Sequence, residues 1–184
     1  MYSFELKTKQ DIIDFANGCC FFGCGGGGDP EAGIKALSEV LEQGKPLKVT
    51  SFDSLKDDDV YASVFLMGSI APKTKEIEDK QRRNGVPLDP PYSPQQALSM
   101  SLDVLEEYTG KKINALFAIE LGGGNSCMPM SVGFDKGLTY IDADAAGRAY
   151  PQMVQALPLA LNKPCLPVAI VNQYGDTNIL TRCV

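Results

Sequence analysis

The alternation of short apolar segments of strand length with segments of helical character most constrains how this chain can fold. Apolar residues recur at helical spacing over residues 30–43, where Asp29 is a candidate N-cap and Pro30 stands at the first helical position. Further helices are predicted over residues 10–16, 71–83, 94–108, 126–134 and 148–156. Strands are predicted over residues 47–52, 60–67, 113–121, 138–141, 166–172 and 178–183. Such alternation through short connections predicts an α/β layered sandwich with a mainly parallel sheet and a C-terminal β-hairpin.

Length and composition indicate one domain spanning residues 1–184, because 184 residues that are 44% hydrophobic can bury a substantial core. No run approaches 18 consecutive apolar residues, so no membrane-spanning helix is predicted. The first residues lack the charged and then apolar pattern of a signal peptide, so a cytoplasmic location without membrane association is expected.

The chain contains no histidine, which restricts its chemistry. A Ser-His-Asp triad, a histidine general base and a His-rich zinc site within this chain are all excluded. The net charge of −6 argues against a nucleic-acid partner, since no basic surplus exists to neutralise phosphates. Six cysteines are present, but the spacing of Cys19, Cys20 and Cys24 matches no zinc ribbon or knuckle. We expect them to be mostly buried thiols.

A glycine loop over residues 23–28 precedes the helix that begins at Pro30. Gly26, Gly27 and Gly28 can expose backbone amides to a ligand at a helix N-terminus. A dinucleotide site would also need a preceding strand, whereas residues 19–22 emerge from a helix, and Asp29 would repel a phosphate. No nucleotide is therefore expected, and a loop that merely makes a tight turn remains the simpler alternative.

A second polar segment over residues 120–126 follows the strand predicted at 113–121. In open α/β sheets, ligands bind at the carboxyl ends of strands. Glu120 can serve there as an acid or base. The amides and side chains of the residues that follow can contact a substrate: Gly123, Gly124, Asn125 and Ser126. Alternatively, Asn125 or Ser126 simply caps the next helix.

A third segment, residues 142–148, follows the next strand and should face the same edge. Asp142 and Asp144 are separated by one small residue, a pattern that suits a water-activating base or a divalent metal site. Arg148 can hold a substrate carboxylate, or it pairs with one of these two acids. The cofactor is otherwise undetermined, and any histidine ligand of a metal would come from another chain.

These three segments together, in this order, resemble the N-terminal domain of the S-methyl-thiohydantoin desulfurase family, which is also associated with hydantoinase/oxoprolinase proteins. The resemblance covers nearly the whole chain. It implies an α/β domain followed by a β-rich C-terminal domain, and hydrolytic attack on a five-membered cyclic amide or thiohydantoin ring. No β-rich second domain is expected within residues 1–184, so such a domain would be a separate subunit or a part that was cut from this chain, and Cys24 stands where family members usually have Thr. The resemblance therefore implies a companion β-rich domain or subunit.

The leading hypothesis is a hydrolase domain or subunit acting on a cyclic amide. Asp144, Glu120 or Asp29 would activate water, and backbone amides of the two glycine segments would polarise the ring carbonyl. The alternative is a non-catalytic small-molecule-binding or regulatory subunit with a glycine-loop pocket. Expected partners are a small-molecule substrate and a companion β-rich domain or subunit, a second copy of the chain in a homo-oligomer, or both of these.

Overall fold

The computed structural model describes residues 3–67 and 74–182. Six α-helices are present in these ranges: α1 Lys9–Phe22, α2 Pro30–Glu42, α3 Lys75–Arg83, α4 Pro94–Thr109, α5 Gly123–Asp135 and α6 Leu157–Ala160. The strands are β1 Ser3–Leu6, β2 Leu47–Ser51, β3 Tyr61–Ala62, β4 Ala115–Ala118, β5 Thr139–Asp144, β6 Val168–Val171 and β7 Thr177–Leu180. Two short 3-10 helices, Phe52–Ser54 and Met153–Gln155, complete these elements.

Five strands form one sheet in the order β1-β2-β5-β4-β3, and β6 and β7 form a separate antiparallel hairpin. Within the large sheet only β1 is antiparallel to its neighbour; β2, β5, β4 and β3 run parallel. The predicted α/β class, the mainly parallel sheet and the closing hairpin are thus confirmed. The parallel register places Ser51 opposite Asp142, and Ala118 opposite Asp144, so three strands end at one edge.

Helix α5 occupies the centre of the molecule, packed against α2, α1, α4 and strands β4 and β5. Its residues from Ser126 to Phe134 are all buried, and Met130 and Val132 are almost completely inaccessible. Its central position explains why the segment is apolar on all sides, since a helix without a solvent face needs no polar stripe.

Helix α1 is longer than predicted. The expected end at Asn17-Gly18 is wrong, because the helix continues to Phe22. Ile12, Ala16 and Cys19 form one buried face at helical spacing, and their burial outweighs the cost of about 1 kcal/mol for an internal glycine. The extra turns carry α1 over the carboxyl edge of the sheet. A helix, and not a strand, therefore precedes the glycine loop.

Other boundaries also differ from the sequence prediction. Strand β1 was not predicted, and only Tyr61–Ala62 of the segment 60–67 pairs as a strand. The helix predicted over 148–156 is wrong, since this segment forms a loop and a 3-10 turn before α6. Residues 71–73 and 183, which fell within predicted elements, lie outside the described ranges.

The proline-rich loop over residues 84–93 is fastened to the C-terminal hairpin. Tyr92 donates its amide to the carbonyl of Gln173, 3.1 Å away, and the Tyr174 hydroxyl donates to the carbonyl of Pro87. These bonds give backbone partners to a segment without regular structure of its own. None of the helices in the two described ranges is long and apolar enough to cross a membrane.

Candidate functional site

The two glycine segments pack directly against each other. The carbonyl oxygen of Gly27 accepts hydrogen bonds from the amides of Gly124, at 3.1 Å, and Asn125, at 2.8 Å. A Cβ on either Gly27 or Gly122 would lie closer than 3.0 Å to backbone atoms of the other segment. Glycine is needed here so that the N-terminal ends of α2 and α5 can approach, and the Gly27 carbonyl caps α5. The alternative expectation of a side-chain cap on α5 from Asn125 or Ser126 is not met.

The predicted amide donors of the glycine segments are partly occupied. Gly26 donates to the carbonyl of Gly23 at 3.0 Å, and Gly124 donates to Gly27. Within the described chain the amides of Gly27 and Gly28 have no hydrogen-bond acceptor. Of the three amide donors predicted in this loop, these two therefore have no partner within the described chain. Gly123, the other predicted donor, is buried against Pro30 and Cys20.

Asp29, a predicted catalytic acid, is the N-cap of α2. Its Oδ1 accepts from the amide of Glu31 at 3.0 Å. This accounts for the acid at the mouth of the helix, because an Asp N-cap satisfies one of the orphan amides and complements the helix dipole.

Glu120, the second predicted acid, ties two loops together. It is only 8% exposed. Its Oε1 accepts from Asn125 Nδ2 at 2.7 Å, and its Oε2 accepts from the amide of Tyr150 at 2.7 Å. Both carboxylate oxygens therefore fix the loop after β5 to the start of α5, which is the arrangement of a positioning residue.

Glu120→Ala should lower the free energy of unfolding by about 3 kcal/mol, because it leaves the Tyr150 amide and the Asn125 side chain without their acceptor. Glu120→Gln should cost about 1 kcal/mol, because a rotated Asn125 amide can accept from the new Gln nitrogen. Urea denaturation of the two variants measures the difference. Equal losses would contradict the positioning role.

A cleft of about 330 Å³ opens between α1 and the carboxyl edge of the sheet. Strands β2, β4 and β5, helix α1 and the first turn of α5 contribute its walls. The lining residues are Phe15, Gly18, Cys19, Phe22, Val49, Ala118, Leu121, Ser126, Tyr140, Ile141, Asp142, Ala143 and Asp144. Its volume falls at the lower end of the range for small-molecule sites, and its lining is mainly apolar with a few polar groups.

Asp142 and Asp144 both line this cleft, and they belong to the end of β5, which extends beyond the strand predicted over 138–141. Oδ1 of Asp144 accepts from the amides of Ala146, at 2.7 Å, and Gly147, so the turn holds this carboxylate in place. Its Oδ2, and the whole carboxylate of the exposed Asp142, accept no hydrogen bond from the described residues. These carboxylate oxygens are available to water or to a ligand.

Arg148 does not form the predicted ion pair with these acids within the described chain. Its Nε donates to the carbonyl of Ala149 at 3.2 Å, and the exposed side chain lies outside the cleft lining. Ser126 does lie in the lining. Its Oγ accepts from the amide of Gly122 at 3.2 Å, and its carbonyl accepts from the Tyr140 hydroxyl at 3.1 Å.

The cleft floor holds weakly acidic groups in their neutral forms. Burial raises the pKa of the Cys19 thiol to about 11, and a hydrogen bond to Ser126, which lowers this pKa, offsets only part of the effect. Burial also raises the pKa of Tyr140 well above its ordinary value. Both groups are therefore neutral near pH 7, and the negative charges of the cleft lining belong to its two carboxylates.

The raised pKa of Cys19 makes folding stability depend on alkaline pH. A thiol that ionises near pH 9 when unfolded and near 11 when folded loses its contribution to stability as pH rises between those values. The free energy of unfolding should therefore be retained below about pH 9 and decrease between pH 9 and 11. Urea titrations of wild type and Cys19→Ala, whose decrease should be shallower, measure this. Identical slopes would contradict it.

No group of three or more His, Cys, Asp or Glu within residues 3–67 and 74–182 is arranged to hold a metal ion. The proposed metal ligands Asp142 and Asp144 supply only two carboxylates from this chain, so further ligands would have to come from water, substrate or another chain.

Sequence reasoning missed the side of the cleft that α1 forms. Phe15, Cys19 and Phe22 belong to this wall, together with Tyr140 on β5. The signal was present in the apolar spacing of Ile12, Ala16 and Cys19, which continues beyond Asn17-Gly18. Of the predicted site residues the cleft lining includes Asp142, Asp144 and Ser126. It does not include Glu120, Asp29, Arg148, Asn125 or the predicted glycines.

Comparison with known proteins places this architecture in a family. The family model described as "S-Me-THD-like, N-terminal domain" matches residues 10–182. A crystal structure of a protein from Chromobacterium violaceum is similar, with 26% sequence identity and a TM-score of 0.68. The match covers 98% of this chain and 45% of that one, so the chain spans less than half the length of this relative. No curated protein matches the chain. The chain belongs to the S-Me-THD-like N-terminal domain family.

Proposed function

We propose that this chain is the α/β domain of a hydrolase that binds a five-membered cyclic amide or thiohydantoin ring in the cleft between α1 and the sheet. The carrying observation is that Asp142 and Asp144 stand at the carboxyl edge of a parallel sheet, in a cleft of about 330 Å³ with largely apolar walls. The family description supports a thiohydantoin-like ligand.

In the proposed reaction, Asp144 is the general base. Its Oδ1 is fixed by two backbone amides, which leaves Oδ2 to accept a proton from water. The water oxygen bonds to the electrophilic carbon of the ring, and the negative charge moves to the carbonyl oxygen. In a cyclic amide the ring C–N bond then breaks, and the proton returns from Asp144 to the departing nitrogen. The amides of Gly27 and Gly28 lie outside the cleft lining, so the carbonyl oxygen is not assigned to them in this reaction.

A companion region is proposed to cover the cleft. Three aromatic side chains are strongly exposed at this edge: Phe21 (78%), Phe22 (60%) and Phe52 (61%). Phe22 lines the cleft, and Phe52 directly follows Ser51, the strand partner of Asp142. The relative from Chromobacterium violaceum carries more than half of its length outside the match. We propose that an equivalent region, in the same chain or a separate subunit, packs on these rings.

The alternative function is ligand binding without turnover. One observation favours it. Both carboxylate oxygens of Glu120 and one of Asp144 accept hydrogen bonds from backbone amides or a side chain of this chain. Asp144 is therefore the one predicted base that lies in the described cleft lining with a carboxylate oxygen free.

The experiment is an assay of the protein isolated from its own source, so that a companion region is retained, with hydantoin and S-methyl-thiohydantoin as probes. Native mass spectrometry of the same sample shows whether the mass exceeds 19.8 kDa because a second polypeptide is present. Liquid chromatography with mass detection should show conversion of at least one probe. Binding without conversion would support the alternative, and absence of both would overturn the proposal.

A further inference from the structure

The C-terminal hairpin has an apolar face that stays exposed in the described chain. Ile170 and Leu180 lie on this face together with Val168, because side chains two residues apart point to the same side of a strand and Val168 pairs with Leu180. Ile170 is 46% exposed and Leu180 is 42% exposed. The opposite face, with Ala169 and Ile179, is less exposed, and helix α4 packs against β6. One face of the hairpin is therefore left without a covering layer.

Strand β7 also has a free edge. The hairpin forms a sheet of its own, with no third strand among the described residues. In an antiparallel pair, every other residue of a strand directs its amide and carbonyl groups away from the partner strand. Within the described chain, no backbone group of Thr177–Leu180 forms a hydrogen bond outside the hairpin. The outward groups of β7 are thus available to another strand.

The β7 edge lacks the features that keep exposed strands from pairing. Such edges are commonly protected by charged side chains or by being very short. Both edges of the five-stranded sheet have this protection, since β1 carries the exposed Glu5 and β3 is only two residues long. The four residues of β7 include no charge, no proline and no bulge. The acid just before them, Asp176, accepts from Asn172 in the turn. This contrast within one molecule favours a paired β7 in the assembled protein.

The family match indicates where a pairing strand would come from. The matched model is described as an N-terminal domain, and the match runs to residue 182, just beyond β7. The relative from Chromobacterium violaceum has more than half of its length outside the match. In family members that continue beyond this domain, the continuing chain therefore departs next to the free edge of β7. Strands that follow one another in a chain pair or lie adjacent roughly two-thirds of the time.

We propose that β7 pairs with a strand of the companion region, so that the hairpin becomes part of a larger sheet, and that apolar side chains of the same region cover Ile170 and Leu180. This rests on the companion region of the proposed function and adds a second contact, separate from the three exposed phenylalanine rings. Backbone hydrogen bonds hold the added strand, and the apolar face selects the side chains that fit. The competing occupant is β7 of a second copy of this chain.

The test is hydrogen–deuterium exchange, resolved to single amides by mass spectrometry, of the protein isolated from its own source. Pairing predicts that all four amides of Thr177–Leu180 exchange slowly, whereas a free edge leaves every other one to exchange rapidly. Native mass spectrometry of the same sample identifies the occupant, and the expected mass includes further sequence beyond the 19.8 kDa of this chain.

Two results would overturn the inference: a mass made up of copies of this chain alone, or rapid exchange of alternate β7 amides. Conversion of a cyclic-amide probe is measured separately. Conversion with rapid exchange would therefore reject the β7 pairing and leave the proposed function standing. Slow exchange in a larger assembly that neither binds nor converts a probe would reject the proposed function alone.

Leu180→Lys places a charge on β7 at a side chain that is 42% exposed, so it should cost the hairpin itself little. It should speed exchange of the alternate β7 amides, or weaken binding of a separate companion subunit, by at least about tenfold. The amides that β7 directs to β6 should stay slow, which shows that the hairpin is intact. Leu161→Lys adds the same charge at a leucine that is 59% exposed and lies outside the hairpin, and should change neither quantity. Equal effects of the two variants would contradict the pairing.

Discussion

Asp144→Asn is expected to lower the rate of ring hydrolysis by about 10²–10⁴-fold without unfolding the protein. The Asp144 carboxylate accepts hydrogen bonds from the turn after β5, and in the proposed reaction it also takes a proton from water; the substitution separates these two functions. Asparagine keeps an Oδ1 that can accept from the amides of Ala146 and Gly147, so the turn after β5 should persist. It cannot take a proton from water. The expected result is a loss in kcat with little change in KM, measured by steady-state assay of the protein from its own source.

Two comparisons make this result interpretable. Asp58→Asn alters an exposed acid outside the cleft and should show wild-type kinetics. Asp144→Ala removes the acceptor of the two loop amides as well, so it should lose stability in urea, whereas Asp144→Asn should not. Wild-type turnover in Asp144→Asn would show that another group activates the water.

Gly122→Ala is expected to lower the free energy of unfolding by about 3 kcal/mol or more. A Cβ at this position would lie closer than 3.0 Å to the Cα, carbonyl carbon and oxygen of Gly27. Backbone atoms cannot rotate away as a flexible side chain can. The two segments would have to separate, which would also break the bonds from Gly124 and Asn125 to the Gly27 carbonyl. Urea denaturation followed by circular dichroism measures the loss.

Two other glycines serve as matched controls, since an added Cβ at either Gly18 or Gly25 meets no atom within 4 Å. Gly25 has a φ of +86°, so Gly25→Ala should cost about 1 kcal/mol from backbone strain alone. Gly18 lies inside α1, where alanine should stabilise the helix by up to about 1 kcal/mol. A loss in Gly122→Ala no larger than in Gly25→Ala would contradict the close packing of the two segments.

Helices with clear terminal signals were predictable from the sequence. Helix α2 begins at Asp29 and Pro30, and α4 begins at the capping box of Ser93 and Gln96, and both fall within a residue of their predicted bounds. These signals are local, so a single sequence contains them. By contrast, the end of α1 depends on Cys19 packing into the core, which overrides the local stop signal of Asn17-Gly18.

The segment 148–156 shows why some local patterns fail. Its composition allowed a helix, but the amide of Tyr150 is held by Glu120, thirty residues earlier in the chain. The segment forms bends and irregular loop as far as the 3-10 helix Met153–Gln155. Such a long-range constraint is not visible in the residues of the segment itself.

The candidate site was predictable where it depends on topology alone. Asp142 and Asp144 were predicted to follow the strand at 138–141; β5 in fact includes both, and they still lie at its carboxyl end, because the carboxyl ends of parallel strands share one edge. The sequence could not establish which polar residues form hydrogen bonds within the protein and are therefore not free to contact a ligand. Glu120 and the amide of Gly124 were equally plausible ligand contacts by type and position. In the structure, Glu120 accepts from the Tyr150 amide in the loop after β5, and the Gly124 amide donates to the carbonyl of Gly27.

The measurement that tests the central claim most directly is a chemical-shift map of the ¹⁵N-labelled chain titrated with S-methyl-thiohydantoin. Binding in the cleft predicts saturable shifts at amides of α1 and β5, notably Cys19, Ile141 and Asp144, and small shifts at the β6–β7 hairpin, which contributes no residue to the cleft lining. Saturable shifts confined to residues outside the cleft lining, or none up to the solubility limit of the compound, would contradict the assignment of this cleft as the ligand site.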